Sequence, residues 1–369
     1  MEENSRGVID SYGNEGAKLV QDVDVFKCGN CGSGLAFDPQ SGKLFCEHCG
    51  SKQDIPVDKN VQAASVDFNL DKATKWASET RTFRCEGCGA TVTFDNAEFA
   101  AECPYCGGNK VLKIEQFDGI RPHALLPFVL TVVQAFAAYF KWLKKKLFAP
   151  SKMKKEAKVE KVKGVYCPCW TFDSNTYSNY NGIVGKYYYV TVGSGQNRRT
   201  ERRVRWYPVS GKYNKDFRNV LVEASPHLDQ KDIVKLSPFP FKEAVVYDKR
   251  FLSGFFADHY NRGLKEGWNL GSDIMKKDIY NSIKRSLNCD VVQTLNVQTN
   301  FNDSKFKHML LPVYVCNAKW KEKLYNFFVN GVNGKVTGKV PVSPAKVLIA
   351  VGLGLLILGG IIAAALLLL

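Results

Sequence analysis

Residues 26–50 read FKCGNCGSGLAFDPQSGKLFCEHCG, and residues 83–107 read FRCEGCGATVTFDNAEFAAECPYCG. A shift of 57 positions carries Cys28, Cys31, Cys46 and Cys49 onto Cys85, Cys88, Cys103 and Cys106, together with Phe26, Phe37 and Asp38 onto Phe83, Phe94 and Asp95. In each copy fourteen residues separate the two C-x2-C pairs. A C-x2-C pair folds into a tight turn whose amides face the sulfurs, and two such turns on neighbouring hairpins present four thiolates to one ion. The spacing predicts two zinc ribbons, each holding a structural Zn2+; rubredoxin-type iron uses the same donor set. Gly29, Gly32, Gly50, Gly87, Gly89, Gly107 and Gly108 supply the permissive backbone that such turns need. His48 falls inside a turn already flanked by thiolates and is read as a bystander. Four cysteines close the coordination sphere, so the metals are expected to be structural and to fold residues 26–112 independently of the downstream domain.

Twelve cysteines would suggest disulfides in a small secreted chain, but eight stand in metal-ligand spacing and no cleavable leader is read ahead of them, which places the soluble part in the cytosol. Cys167, Cys169, Cys289 and Cys316 are left over, either as buried thiols or as a third site. With 369 residues, 45% hydrophobic and 24% charged, the chain has the composition of a globular protein of two or three domains. Its formal net charge is +15. Eight bound thiolates and two divalent ions would reduce that to about +11. A basic chain favours an anionic partner, either a nucleic acid or the inner face of a membrane.

The texture of the sequence divides it into a polar, flexible leader (1–24), ribbon one (25–51), a linker with a short helix near 71–78 (52–81), ribbon two (82–114), an amphipathic helix with a basic linker (115–163) and a mixed α+β domain (164–342). The apolar run 125–140 is only sixteen residues and contains Pro127 and Gln134, too short and too interrupted for a membrane span. Val133, Phe136, Ala137, Phe140 and Leu143 recur at helical spacing, which predicts an amphipathic helix on a core or a membrane surface. Ten lysines and two glutamates follow between positions 141 and 163, a solvated basic face or a contact for anionic lipid.

Beyond residue 164, VYCPCWTFD, KYYYVTV and RRVRWYPVSG predict short antiparallel strands, the last two joined through GSGQN. RRTERRVRW (198–206) carries five arginines, either a sheet's solvent face or a nucleic-acid contact. Residues 255–287 have helical periodicity, and Gly263, Gly267 and Gly271 predict a break into two helices. Strands return with VVQTLNVQT, LLPVYVCNAKW and KLYNFFVNG, and Asn333-Gly334 marks a hairpin turn. Residues 347–369 contain no charge or proline and predict a transmembrane helix, with Lys335, Lys339 and Lys346 before it and none after, an asymmetry that keeps the soluble part in the cytoplasm. The fold class expected is therefore α+β: two four-cysteine zinc ribbons, a mixed α/β body with antiparallel strands and a single-pass C-terminal anchor.

LLPF, KWLKKKLFAP, KGVYCPCW, RWYPVSG, KHMLLPVYV and VNGVNGKVTGKVP, together with the ribbons, make the chain resemble bacterial TFIIB-type zinc-ribbon membrane proteins of the YdjG-like family, over roughly residues 24–350. The block 308–341 is the most specific part. The resemblance implies an association with envelope-stress proteins. Paired cysteine knuckles also occur in a replication-restart helicase, but VNGKVTGKV lacks the G-x4-GK[ST] spacing of a phosphate cradle. No G-x-S-x-G or H-E-x-x-H motif occurs, and the five histidines are scattered, so the expectation is a membrane-anchored, non-enzymatic scaffold or adaptor with protein partners and no small-molecule substrate. The alternative is a zinc-ribbon nucleic-acid-binding protein linked to replication or transcription.

Overall fold

Between residues 164 and 172 nearly every position is buried, a run that a strand can show only when both of its faces are covered. The computed structural model describes residues 26–68, 82–93, 103–108, 111–114, 119–156, 159–225, 227–320 and 323–367. The leader, the short helix near 71–78, and Phe94 with Asp95 lie outside them. In chain order the elements are β1 (Ala36–Asp38), β2 (Lys43–Phe45), β3 (Lys52–Gln53), β4 (Ala64–Ser65), β5 (Thr82–Cys85), β6 (Thr91–Thr93), β7 (Val111–Ile114) and β8 (Ala124–Leu125). Next come α1 (Val132–Lys144), α2 (Ser151–Glu156), β9 (Val159–Val192), β10 (Arg199–Glu223), α3 (Gln230–Leu236), β11 (Val245–Val246) and β12 (Phe256–Asp258). The last elements are α4 (Leu264–Ser286), β13 (Val291–Trp320), β14 (Lys323–Asn330), β15 (Val336–Gly338) and α5 (Pro344–Leu367). The class is α+β with mainly antiparallel sheets.

The short strands expected beyond residue 164 are in fact three long ones, of 34, 25 and 30 residues, with β9 between β10 and β13. What suggested breaks are local irregularities that the ladder absorbs. Asn219 and Asp303 take positive φ at bulges opposite Asp173, whose carboxylate accepts from Asn219 N (2.6 Å) and Lys307 Nζ (3.1 Å). The turn through GSGQN does join β9 to β10, as expected.

Alternation along β9 sends Tyr166 to one face and Val165, Cys167 and Cys169 to the other. On the first face Tyr166, Leu310 and Tyr314 pack with α1 and with Leu35, Phe37 and Leu44 of the first cysteine unit. Further along that face Trp170, Phe172 and Phe306 pack with Met275, Ile279 and Ile283 of α4. The opposite face packs with Ile233 and Leu236 of α3 and with Cys85, Val92, Cys103 and Tyr105 of the second unit. The two repeats therefore end on opposite sides of one sheet.

They also attach differently. β1, β2 and β3 form a small sheet of their own, whereas β6 pairs with β12, which pairs in parallel with β9, so the second unit is part of the main sheet. The second unit is thus continuous with the body through β12, while the first keeps a sheet of its own. α4 is one helix, correcting the predicted break. Its glycines are there for proximity: a Cβ at Gly267 would lie 2.6 Å from Trp170 and one at Gly271 2.8 Å from Phe172. α1 starts where Thr131 and Gln134 form a reciprocal capping box. It buries Ala135, Tyr139 and Leu143, with Tyr139 and Trp142 against Phe327, and leaves Val133 exposed, a rotation from the predicted stripe set by those aromatics. Among the described residues one helix, α5, is long and apolar enough to cross a membrane, and its segment Pro344–Ile362 is not buried.

Alanine at Gly267 or Gly271 checks the α4 packing. In an open helix interior the change would gain about 1 kcal/mol. Here the sign should invert, with a loss of about 1–3 kcal/mol from overpacking and a lower Tm in thermal melts. A raised Tm would remove the close-approach account.

Candidate metal centres

All four cysteine turns are built alike. Each reads C-x-x-C-G, and the terminal glycines Gly32, Gly50, Gly89 and Gly107 have φ of +74°, +74°, +75° and +70°. Each donates its N–H to the carbonyl of the first cysteine, at 2.8, 2.9, 2.8 and 3.0 Å. A side chain at that left-handed position would be strained, which explains the glycine. Gly29, Gly87 and Gly108 do not take positive φ. A Cβ at Gly108 would lie 3.3 Å from Cys106 Sγ, so this glycine serves space around a sulfur.

The eight sulfurs predicted as ligands gather as predicted, Cys28, Cys31, Cys46 and Cys49 in one group and Cys85, Cys88, Cys103 and Cys106 in the other, each with all Sγ atoms within 4.8 Å of one another. The closest pairs are Cys28–Cys49 and Cys31–Cys46 at 3.5 Å, Cys85–Cys106 at 3.5 Å and Cys88–Cys103 at 3.6 Å. Thiolates at about 2.3 Å from a tetrahedral ion would stand roughly 3.8 Å apart, so either group could hold a metal ion with little adjustment. Side-chain and backbone contacts of Ser33 hold the Cys31 thiol down at about 6, and the Ser51 hydroxyl, 2.9 Å from Cys28 Sγ, lowers that thiol too. In the second group burial pushes Cys103 up to about 11 and raises Cys88 as well. Four thiols in contact cannot all ionise without a cation among them; a divalent ion would supply that charge. Its chemistry there would be to hold shape, since four protein ligands leave no open position.

His48 is exposed and outside the first group, as read from the sequence. Cys167, Cys169 and Cys316 are buried in the main sheet and Cys289 is half-buried after α4; none joins a ligand group among the described residues.

Sequence reasoning missed how the second group is fastened. Tyr105, between Cys103 and Cys106, is buried, and its hydroxyl donates to Asp258 Oδ2 at 2.8 Å and lies 3.8 Å from Cys167 Sγ. Ser225 Oγ donates to the same carboxylate oxygen at 2.5 Å. Asn317 Nδ2 donates to Pro104 O at 3.2 Å and Asn326 Nδ2 to Tyr105 O at 3.1 Å. His227 stacks on Tyr105 with ring centroids 4.0 Å apart. Burial pushes Asp258 up to about 7, opposed by its hydrogen bonds, and pushes His227 down to about 4. A signal was available: the x-x pairs of the other turns are Gly-Asn, Glu-His and Glu-Gly, whereas this one is Pro-Tyr, the filling of a turn that faces a core.

The chain is similar to the uncharacterized protein YdjG of Bacillus subtilis (strain 168), 26% identical over 327 residues that cover 87% of this chain and 91% of that one. An alignment of that length extends well beyond the cysteine units. No family model matches the chain, and no solved structure matches it.

Two metal ions per chain are expected by elemental mass spectrometry, falling to one in Cys88→Ser and to one in Cys31→Ser. Because Tyr105 ties the second group to the sheet, Cys88→Ser should also speed amide exchange at residues 256–258, which a freely folding module would leave unchanged. Tyr105→Phe should keep both ions yet cost about 1–2 kcal/mol, as Asp258 loses a buried donor.

Proposed function

We propose that this protein is a membrane-anchored zinc-ribbon protein of the TFIIB-type, YdjG-like kind, a non-enzymatic scaffold or adaptor that α5 tethers to the membrane with its body in the cytoplasm, acting in envelope stress. The observation that carries the reading is the joint one. Two closed four-cysteine groups are locked to opposite faces of a sheet, and the chain leaves that body through a helix of 24 residues, about 36 Å long, whose apolar segment is not buried. Zinc is favoured over iron because closed four-cysteine sites with C-x2-C spacing are its commonest structural setting. Lys335 and Lys339 before α5, with Lys346 in its first turn, support the cytoplasmic side. The resemblance to ribbon membrane proteins and the likeness to YdjG support the family but supply no activity.

A second reading, nucleic-acid binding, has one observation in its favour. Past Gly185, where β13 begins, β9 and β10 continue as a two-stranded hairpin with Tyr187, Tyr188 and Tyr189 exposed and Arg202 and Arg205 over the first two rings at 4.4 and 5.5 Å. Such rings and cations suit single-stranded nucleic acid. Yet Arg199 and Arg203 share Glu201, at 2.8 and 3.5 Å, so four of the five arginines already have partners within the hairpin, which favours a solvated face.

The full chain should stay in membranes through alkaline and high-salt washing, while deletion of residues 344–369 should release it. Nucleic-acid affinity should be weak and indifferent to sequence at physiological salt. Tight binding with a salt slope of roughly 0.7 to 0.9 per phosphate, lost in Arg202→Ala with Arg205→Ala, would replace the scaffold reading with the second.

A further inference from the structure

The turn between α1 and α2 exposes Leu147 (77%) and Phe148 (44%), large apolar side chains at a place where a soluble surface gains nothing from them. That turn is fastened to the foot of α5. Ser343 N donates to Phe148 O at 2.8 Å, and Lys346 Nζ, from the first turn of α5, donates to Ala149 O at 2.7 Å. If α5 enters a bilayer, Lys346 marks the headgroup level, and Leu147 and Phe148 stand beside it.

The charges around the same place have one sign. Between Asp118 and Glu156 there is no acidic residue but there are seven lysines, and none occurs from Lys323 to the C-terminus, where four more lysines lie. A groove of about 590 Å³ gathers Lys141, Lys145, Lys235 and Lys335 around Trp142 and Leu130. Asp232 pairs with Lys235 at 3.3 Å and is the acidic neighbour there. Lys141 and Lys145 are one helical turn apart, and the next residues along the chain are Lys146, Leu147 and Phe148. Apolar side chains that project beside a lysine groove match the interface of an anionic bilayer, acyl chains below and phosphates above.

We propose that a second, lipid-facing contact completes the membrane attachment: Leu147 and Phe148 insert beside α5, and the lysine groove of α1 and the β14–β15 turn takes the headgroups of anionic phospholipid. This contact rests on the membrane reading of α5 and deepens it, since it fixes how the body sits on the surface. The hairpin at the far end of β9 is left free of the bilayer.

The test uses the full chain in nanodiscs of phosphatidylcholine, alone or mixed with phosphatidylglycerol, read by hydrogen exchange. Amides of residues 145–149 should exchange about tenfold more slowly in the anionic discs. Leu147→Ser with Phe148→Ser should abolish the slowing, Lys141→Gln with Lys145→Gln should remove its dependence on phosphatidylglycerol, and Arg202→Gln with Arg205→Gln should change nothing. Equal exchange in both lipids, or slowing that survives the Leu147 and Phe148 changes, overturns the proposal. So does slowing that rises with protein concentration in either lipid, which would mark a contact between copies. A full chain that alkaline washing strips from membranes overturns the anchoring reading as well, so the two failures are separable.

Discussion

Cover for both faces of β9 is the constraint on which the rest of the structure depends. A strand buried almost throughout residues 164–172 needs packing from two sides, and this chain supplies it from pieces too small to stand alone. A cysteine unit of about 25 residues cannot bury a core of its own. Each therefore leans on the body, the first through Phe37 against Phe251 and Phe255 of the segment before β12, where Phe255 in turn meets Tyr166 of β9, the second through Tyr105. A bound ion would close each unit on one side and the sheet on the other.

How much was legible in the sequence depends on whether a signal was local. The C-x-x-C-G turns state their own geometry within five residues, so the grouping of the eight sulfurs could be read directly. The span of α5 depends only on the length and polarity of one segment. By contrast, Gly267 and Gly271 carry no local sign of their role; they look like helix breakers until Trp170 and Phe172, far earlier in the chain, are placed against them. The strand lengths were hidden for a related reason. β9 runs on through Pro168, which accepts from Ala224 N through its carbonyl, and through Gly182, which faces Thr294 beside a shift of register. Pairing between distant strands decided both cases, and pairing is not written in any one segment.

The same strands give the molecule a direction. Burial along β9 passes from both faces covered, near Tyr166, to alternate residues covered between Phe172 and Ser178, to mostly exposed beyond. The foot of α5 is tied to the turn before α2, next to where β9 begins. The hairpin past Gly185 carries seven further residues on β9, roughly 23 Å at strand rise, away from that end. A body anchored at that end would hold the arginine and tyrosine hairpin clear of the surface on which its base rests.

Fastening through Tyr105 also decides how the second cysteine unit is used. A ribbon appended for recognition keeps its turns in solvent, where side chains between the cysteines can meet a partner. Here one turn is given over to the protein's own core: its carbonyls accept from Asn317 and Asn326, and its phenol supplies one of two hydroxyls on a buried carboxyl. Losing the turn would remove one of the two hydroxyls that serve Asp258 in a buried site, at a cost on the order of 1–3 kcal/mol for the missing donor. The state of the second metal group is thus felt where β12 joins β9, at the centre of the sheet. The first unit keeps both of its turns outward, at Gly29-Asn30 and Glu47-His48, whereas the second keeps only Glu86-Gly87 outward.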